Sequence, residues 1–347
     1  MSRIGIALYG LGTVGSGLVD VIAARRAELE AHGGVELSLR HVVVRNPERP
    51  RAVSVDRTLF TTDWRAPLRD PGVDVVVEVM GGMEPARTVI HEALVAGKHV
   101  VTANKALIAA HGAELERIAR ARGALLRYEG AVCGAIPVLH AIRGALVGNR
   151  ITRVCGIVNG TTNYILTRMA HDALSFADAL AQAQALGFAE ADPGDDLSGL
   201  DAAHKLVILV HQAMGRWVCV ERVAREGIER VTASDIARAR ARGAVIKLVA
   251  DAALEDGAAP RLRVGPTELP VDHPLAKVDG EQNAVLLESD FAGPLFFTGR
   301  GAGARPTGSA VYGDLIEAVV SRQSPVVRGA DDARRLRVAR ASLSTDD

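Results

Sequence analysis

The sequence predicts an α/β protein in which an N-terminal doubly wound parallel sheet is followed by a second, α+β domain for substrate binding and dimerisation. Three observations carry that expectation. Short β-branched runs alternate with longer segments of helical period up to about residue 129. A glycine cluster stands directly behind the first of those runs. Past residue 130 the pattern changes to longer helices and more separated strands, and 347 residues exceed what one core usually fills.

Within the first domain, strands are expected at residues 4–9, 37–44, 73–79, 98–102 and 124–128. Pro85 stands where a first helical turn would begin and Gly97 where that helix would end. The second domain opens with a helix near Pro137 and a strand over 151–158. Ser175 and Asp178 read as an N-cap and first-turn acid of a helix that runs to Leu186 and is closed by Gly187. Residues 198–214 read as one long apolar helix, and further strands are expected at 245–249, 261–264, 283–288 and 295–298. A glycine turn at 299–303 leads into a helix over 306–321 that is placed to fold back onto the first domain. The expected bounds are therefore 1–130 with about 299–325 for the first domain and 131–298 for the second, and the Arg-rich residues 326–347 read as a tail.

Composition narrows the class. Hydrophobic residues make up 48% and charged residues 24%, as in globular enzymes. Lys plus Arg and Asp plus Glu are balanced at 41 each, so no global basic field points to nucleic acid or an anionic membrane. No apolar run is long enough to span a bilayer, and the N-terminus lacks the pattern of a signal peptide. Cys133, Cys155 and Cys219 are odd in number and widely spaced, which suggests neither a disulfide framework nor a zinc site. A small-molecule substrate and a cytoplasmic location are expected.

The glycine cluster is Gly10-Leu11-Gly12-Thr13-Val14-Gly15, between the first strand and a helical run. The first glycine permits the tight turn, the second lets the backbone approach a pyrophosphate, and the third allows close helix packing, while the helix N-terminus faces the phosphates. In this context the motif predicts a Rossmann-type dinucleotide site. Sites that prefer NAD place an acid at the end of the second strand, but here the strand ends in Val44-Arg45-Asn46, with Arg49 and Arg51 close behind. Positive charge and no carboxylate favour NADP, with NAD as the lesser alternative.

Catalytic chemistry concentrates in residues 187–206, where Glu190, Asp192, Asp195 and Asp196 crowd a loop that runs into an apolar helix carrying Asp201 and Lys205. Asp201 and Lys205 are four apart and share one helix face, among neighbours too apolar for an ordinary exposed ion pair. A second lysine, Lys105, follows Asn104 at the carboxyl end of the fourth strand, the edge where open parallel sheets hold ligands. Hydride reduction of an aldehyde needs a donor for the developing alkoxide, and a lysine beside a second cation titrates nearer neutrality. The same set of lysines and carboxylates can bind both the ammonium and the carboxylate of an amino acid.

Up to about residue 320 the chain resembles homoserine dehydrogenase, through residues 10–18, Ala103-Asn104-Lys105, 128–132, the block Asn159-Gly160-Thr161-Thr162-Asn163-Tyr164-Ile165-Leu166, residues 187–205 and residues 299–314. The resemblance implies interconversion of L-aspartate 4-semialdehyde and L-homoserine, with Lys205 as proton donor, Lys105 assisting, and Asp201 orienting the lysine. It implies substrate contacts from Glu190, Asp196, Gly160 and Thr161. Cofactor contacts are expected from Gly10, Gly12, Thr13, Val14, Gly15, Arg45, Asn104, Lys105, Gly301 and Ala302. It further implies a monovalent cation, usually sodium, held by Glu129 and backbone carbonyls around Val132, Gly134 and Ile136, and a homodimer formed through the second domain. Arg305 stands where the family more often has a small residue. The family's frequent C-terminal ACT domain and N-terminal aspartate kinase are not recognisable here, so a short form is expected.

Two rivals remain at this point. An aspartate-semialdehyde dehydrogenase would need a nucleophilic cysteine, and Cys133 lies in an apolar Ala-Val-Cys-Gly-Ala-Ile setting that raises a thiol's pKa. A nucleotide-binding sensor without turnover has no evident use for both Lys105 and Lys205.

Overall fold

The computed structural model describes residues 2–254 and 259–323. They form two compact units, one of residues up to Ala135 together with the segment from Ala302 on, the other of Ile136–Gly301. The expected tail lies outside the described residues.

The first unit runs β1 (Ser2–Tyr9), α1 (Thr13–Gly33), β2 (Val35–Val43), β3 (Phe60–Thr61), α2 (Ala66–Arg69), β4 (Val75–Glu78), α3 (Ala86–Val95), β5 (His99–Thr102), α4 (Lys105–Arg122) and β6 (Leu126–Arg127). Its six strands are ordered β3-β2-β1-β4-β5-β6 and all pair in parallel. Helical crossovers cover both faces, which is why β1 and β4 are apolar runs rather than alternating ones. The order reverses between β1 and β4, and a crevice opens at the carboxyl ends of strands flanking such a point. The strands expected over 73–79 and 124–128 are each shorter by three residues. Val73 sits in a turn, donating its N–H to Asp70, before β4 starts, and the chain bends away after β6 as Ala131 donates to the Tyr128 carbonyl.

The second unit contains α5 (Val138–Arg143), β7 (Ile151–Ile157), α6 (Gly160–His171), α7 (Phe176–Ala185), α8 (Gly194–Leu197), α9 (Leu200–Met214), β8 (Ala224–Arg225), α10 (Ala233–Ala241), β9 (Ala244–Ala253), β10 (Arg261–Pro270), β11 (Gln282–Ser289) and β12 (Gly293–Arg300). The sheet order is β12-β11-β7-β9-β10-β8, antiparallel except for the β10–β8 pair. Helix α6 packs against β9 and β11, and α9 against β7 and β9. Ser175 caps α7 through the Asp178 N–H, as its sequence spacing predicts. The long apolar helix expected over 198–214 is present as α9 and starts two residues later, because Gly199 adopts φ +76°, which separates the short α8 from α9 and turns the acidic loop before the long helix begins.

The last helix, α11 (Ala304–Gln323), belongs to the first unit and lies along α1. Val311, Leu315 and Val319 enter the core beside Ile6, Leu8 and Leu18. The two backbones touch where a Cβ on Gly17 would come within 1.9 Å of the Ala304 carbonyl oxygen and one on Gly308 within 2.5 Å of the Gly17 carbonyl carbon. Among the described residues, no helix is long and apolar enough to cross a membrane.

Candidate active site

In the first unit the glycine turn has the geometry its motif requires. Gly10 has φ +99° and donates its N–H to the Val43 carbonyl at 3.0 Å, which joins the turn to the end of β2. A Cβ on Gly15 would meet the Gly10 carbonyl oxygen at 2.2 Å, so the helix start closes on its own turn. Gly12 differs, because a Cβ there would meet no atom within 4 Å. Protein packing therefore does not demand that glycine, and the open space in front of it suits a pyrophosphate lying on backbone N–H groups. Thr13 and Val14 open α1 with Gly12 as N-cap.

Beyond β2, Arg45 is exposed. Arg51 is engaged instead, donating to the Leu11 carbonyl at 3.0 Å and the Asn46 carbonyl at 2.8 Å, so its charge braces the glycine turn itself. The sequence reading had grouped it with Arg45 as a loop cation and missed this role. On the other side of the switch point, Asn104 caps α4 by accepting from Leu107 N–H at 3.2 Å and donates to the Gly82 carbonyl at 2.6 Å. Lys105 is then the first residue of the helix.

The second unit carries Lys205 on α9. Its ammonium donates to Asp201 Oδ2 and to the Val158 carbonyl, both at 2.7 Å, and the two side chains are only 12% and 5% exposed. This is a buried pair in which two short charge-assisted bonds fix where the ammonium sits, unlike the surface pair that i,i+4 spacing alone would allow. Asn159, the N-cap of α6, organises the rest. Its Oδ1 accepts from Thr162 N–H at 2.9 Å, so its Nδ2 faces the other way and donates to Asp196 Oδ1 at 2.7 Å and Asp201 Oδ2 at 2.8 Å. The sequence reading assigned no role to Asn159. The signal was present, since an Asn directly ahead of a Gly-Thr-Thr helix start is a capping pattern.

Asp196 titrates above the ordinary carboxylate range because burial disfavours its charge and Asp201 lies beside it. The hydrogen bonds agree. Thr161 Oγ1 has one hydrogen and lies 2.6 Å from the Phe188 carbonyl, which can only accept. Its 3.1 Å contact with Asp196 Oδ2 is then satisfied best by a proton on the carboxyl. Gly160 is the first residue of α6. Glu190 is exposed, and its carbonyl, not its carboxylate, takes a bond from Gln184 at 3.2 Å. It stands outside the Asn159 network.

Glu129 is 2% exposed, and its N–H donates to Asp314 Oδ2 at 2.6 Å. The carboxylate oxygens of these two acids lie within 4.8 Å of one another. Cys133 and Gly134 follow with φ +54° and +52°, a pair of left-handed residues that curls the chain after Val132. The Ile136 carbonyl accepts from Val138 N–H at 2.8 Å. Gly301 lies against the Asn283 amide, 2.1 Å from where its Cβ would be, and Ala302 is exposed.

With this geometry in place, comparison with known proteins decides the family. Residues 137–316 match the family model described as homoserine dehydrogenase, and residues 10–129 match the homoserine dehydrogenase NAD binding domain. The chain belongs to the homoserine dehydrogenase family. The homoserine dehydrogenase of a Synechocystis strain is 47% identical over 317 residues, covering 90% of this chain and 73% of that protein, and that of Bacillus subtilis is 41% identical over 316 residues, covering 91% and 73%. Among solved structures, a homoserine dehydrogenase from Thiobacillus denitrificans superposes with a TM-score of 0.85 at 42% identity, covering 92% of this chain and 73% of that one. A hyperthermophilic archaeal homoserine dehydrogenase mutant in complex with NADPH superposes with a TM-score of 0.78 at 28% identity, covering 92% and 98%. Family membership sets aside the two rivals, and Cys133, at 1% exposure, sits as a buried thiol.

Proposed function

We propose that this homoserine dehydrogenase interconverts L-aspartate 4-semialdehyde and L-homoserine with NADPH as its preferred reductant and Lys205 as the proton donor. The observation that carries the reading is the buried ammonium of Lys205, fixed by Asp201 and the Val158 carbonyl at the end of the Asn159 network. The nicotinamide nucleotide, when bound, supplies the hydride to the aldehyde carbon. Lys205 gives a proton to the carbonyl oxygen as charge develops there and takes it back in the reverse direction. Asp201 holds the lysine in its charged form and in place, and Asp196, Thr161 and Gly160 line the start of α6 where an amino-acid head group would be bound. A substrate contact from Glu190 is supported by family resemblance alone. Lys105, at the positive N-terminus of α4, assists by drawing the substrate's anionic groups.

The preference for NADPH is supported by exposed Arg45 at the end of β2, where a ribose-binding acid is absent. The cofactor set is completed by residues 10–15, Asn104, Gly301 and Ala302. The paired buried acids Glu129 and Asp314 support a monovalent cation such as sodium, held by Glu129 with the carbonyls of Val132, Gly134 and Ile136, in a supporting rather than chemical role. Edge strand β12, with Phe296 exposed, supports dimerisation through the second unit, and a biosynthetic role fits the cytoplasm. The decisive experiment follows NADPH oxidation with aspartate semialdehyde in the parent and in Lys205→Ala. Removal of a positioned general acid should lower kcat by roughly two to four orders of magnitude while NADPH still titrates onto the protein. A variant that keeps more than about a tenth of parental turnover would sink the assignment.

A further inference from the structure

We propose that Glu78 is a positioning residue that locks the glycine loop after β4 to the first turn of α4 and thereby sets where Lys105 stands. The inference rests on the role given to Lys105 above. Strand β4 reads Val-Val-Val-Glu, and its acid is fully buried with no cation beside it among the described residues. A carboxylate taken from water without a counter-charge is tolerated only when hydrogen bonds replace the solvent. Those bonds come from two separate segments. Met80 N–H donates to Oε1 at 2.8 Å, while Thr102 Oγ1 donates to Oε2 at 2.7 Å.

The connection continues on both sides. Thr102 Oγ1 accepts the Asn104 N–H at 3.0 Å, and the Asn104 side chain caps α4 while holding the Gly82 carbonyl. One carboxylate is thus bonded to residue 80 and, through one hydroxyl, to the residue before Lys105. The loop has little else to hold it. Gly81 and Gly82 have φ +72° and +75°, and nothing lies within 4 Å of where their Cβ atoms would be, so polar bonds rather than packing define its shape.

Glu78→Gln tests this with a side chain of equal size: its oxygen can still accept from Met80 N–H, but its nitrogen can only donate, so the Thr102 hydroxyl must turn from donor to acceptor while it also accepts the Asn104 N–H, and the charge that both segments are bonded to is gone. The expected result is a folded protein with kcat lowered about tenfold in the Lys105 background and no further loss in a Lys105→Met background, the non-additivity of residues that act together. The pH profile gives a second readout. Burial raises the Glu78 carboxyl, so parental kcat should fall on the acid side as this group takes up a proton, and the Gln variant should lack that limb. Amide exchange at residues 80–82 and 105–107 reads the same positioning without turnover and should quicken in Glu78→Gln. Parental rate and parental exchange in that variant would overturn the inference, as would an equal loss in both lysine backgrounds. Full activity in Lys105→Met would instead overturn the reading of Lys105, and the exchange data would still decide whether Glu78 holds the two segments.

Discussion

At the scale of single residues, Asp196 links stability to function with opposite signs. Its carboxyl has an ordinary value of 3.8 in the unfolded chain and a raised one in the folded protein. Between the two, the native state binds more protons than the unfolded state, so stability falls as pH rises through that window. Asp196→Asn imitates the protonated form, because an amide can accept from Asn159 and donate to Thr161 Oγ1. Above the unfolded value of 3.8 the variant should therefore be at least as stable as the parent and its melting temperature should vary less with pH, while it loses affinity for the semialdehyde. A variant less stable than the parent at neutral pH would show that the carboxylate is held ionised. Lys205 and Asp201 were legible in sequence because their charges interrupt an apolar pattern, and Asp196 because acids crowd the loop before it. Lys247 was not. It reads as a strand lysine, yet it is 3% exposed and its ammonium is bonded to the Val278 carbonyl at 2.7 Å, Asp279 at 3.0 Å and Asn163 at 3.1 Å. Those partners are remote in sequence, so nothing local to Lys247 announces them.

At the scale of elements, what was legible followed from length. The β-branched runs of β1, β2 and β5 stand out because five or so consecutive positions agree, whereas β3 and β8, two residues each, carry no period to read. Helix α10 was missed despite a visible signal, since Thr232 and Asp235 form a full capping box. The contact between α1 and α11 was legible only as a glycine turn before a helix, although it depends on single atoms. Gly17→Ala places a methyl group against a backbone oxygen that cannot rotate away, so α11 must shift, and a loss of about 1–3 kcal/mol is expected from overpacking. Gly148→Ala is the control, because a Cβ there meets nothing within 4 Å. Denaturant melts of the two variants beside the parent check this, and equal midpoints for both would mean that the helices do not meet as described.

At the scale of the whole molecule, the nucleotide should act as a stabiliser of the folded chain in proportion to its fit. NADPH present at about a hundredfold its Kd should add ~2.7 kcal/mol to stability, and NADH at the same concentration should add less if Arg45 reads a 2′-phosphate. Thermal shifts with the two nucleotides measure the difference, and identical shifts would remove the case for NADP preference. The parallel order of the first sheet followed from the alternation of strand and helix, whereas the mixed order of the second sheet depends on pairings between distant strands that no local pattern encodes. The placement of α11 also bears on how the chain is made. Residues 2–135 leave the ribosome first, but the helix that completes their core is separated from them by the whole of the other unit. The unit begun before the other is therefore completed after it, and during synthesis the flank of α1 that will meet α11 stays uncovered until the whole of the other unit has emerged.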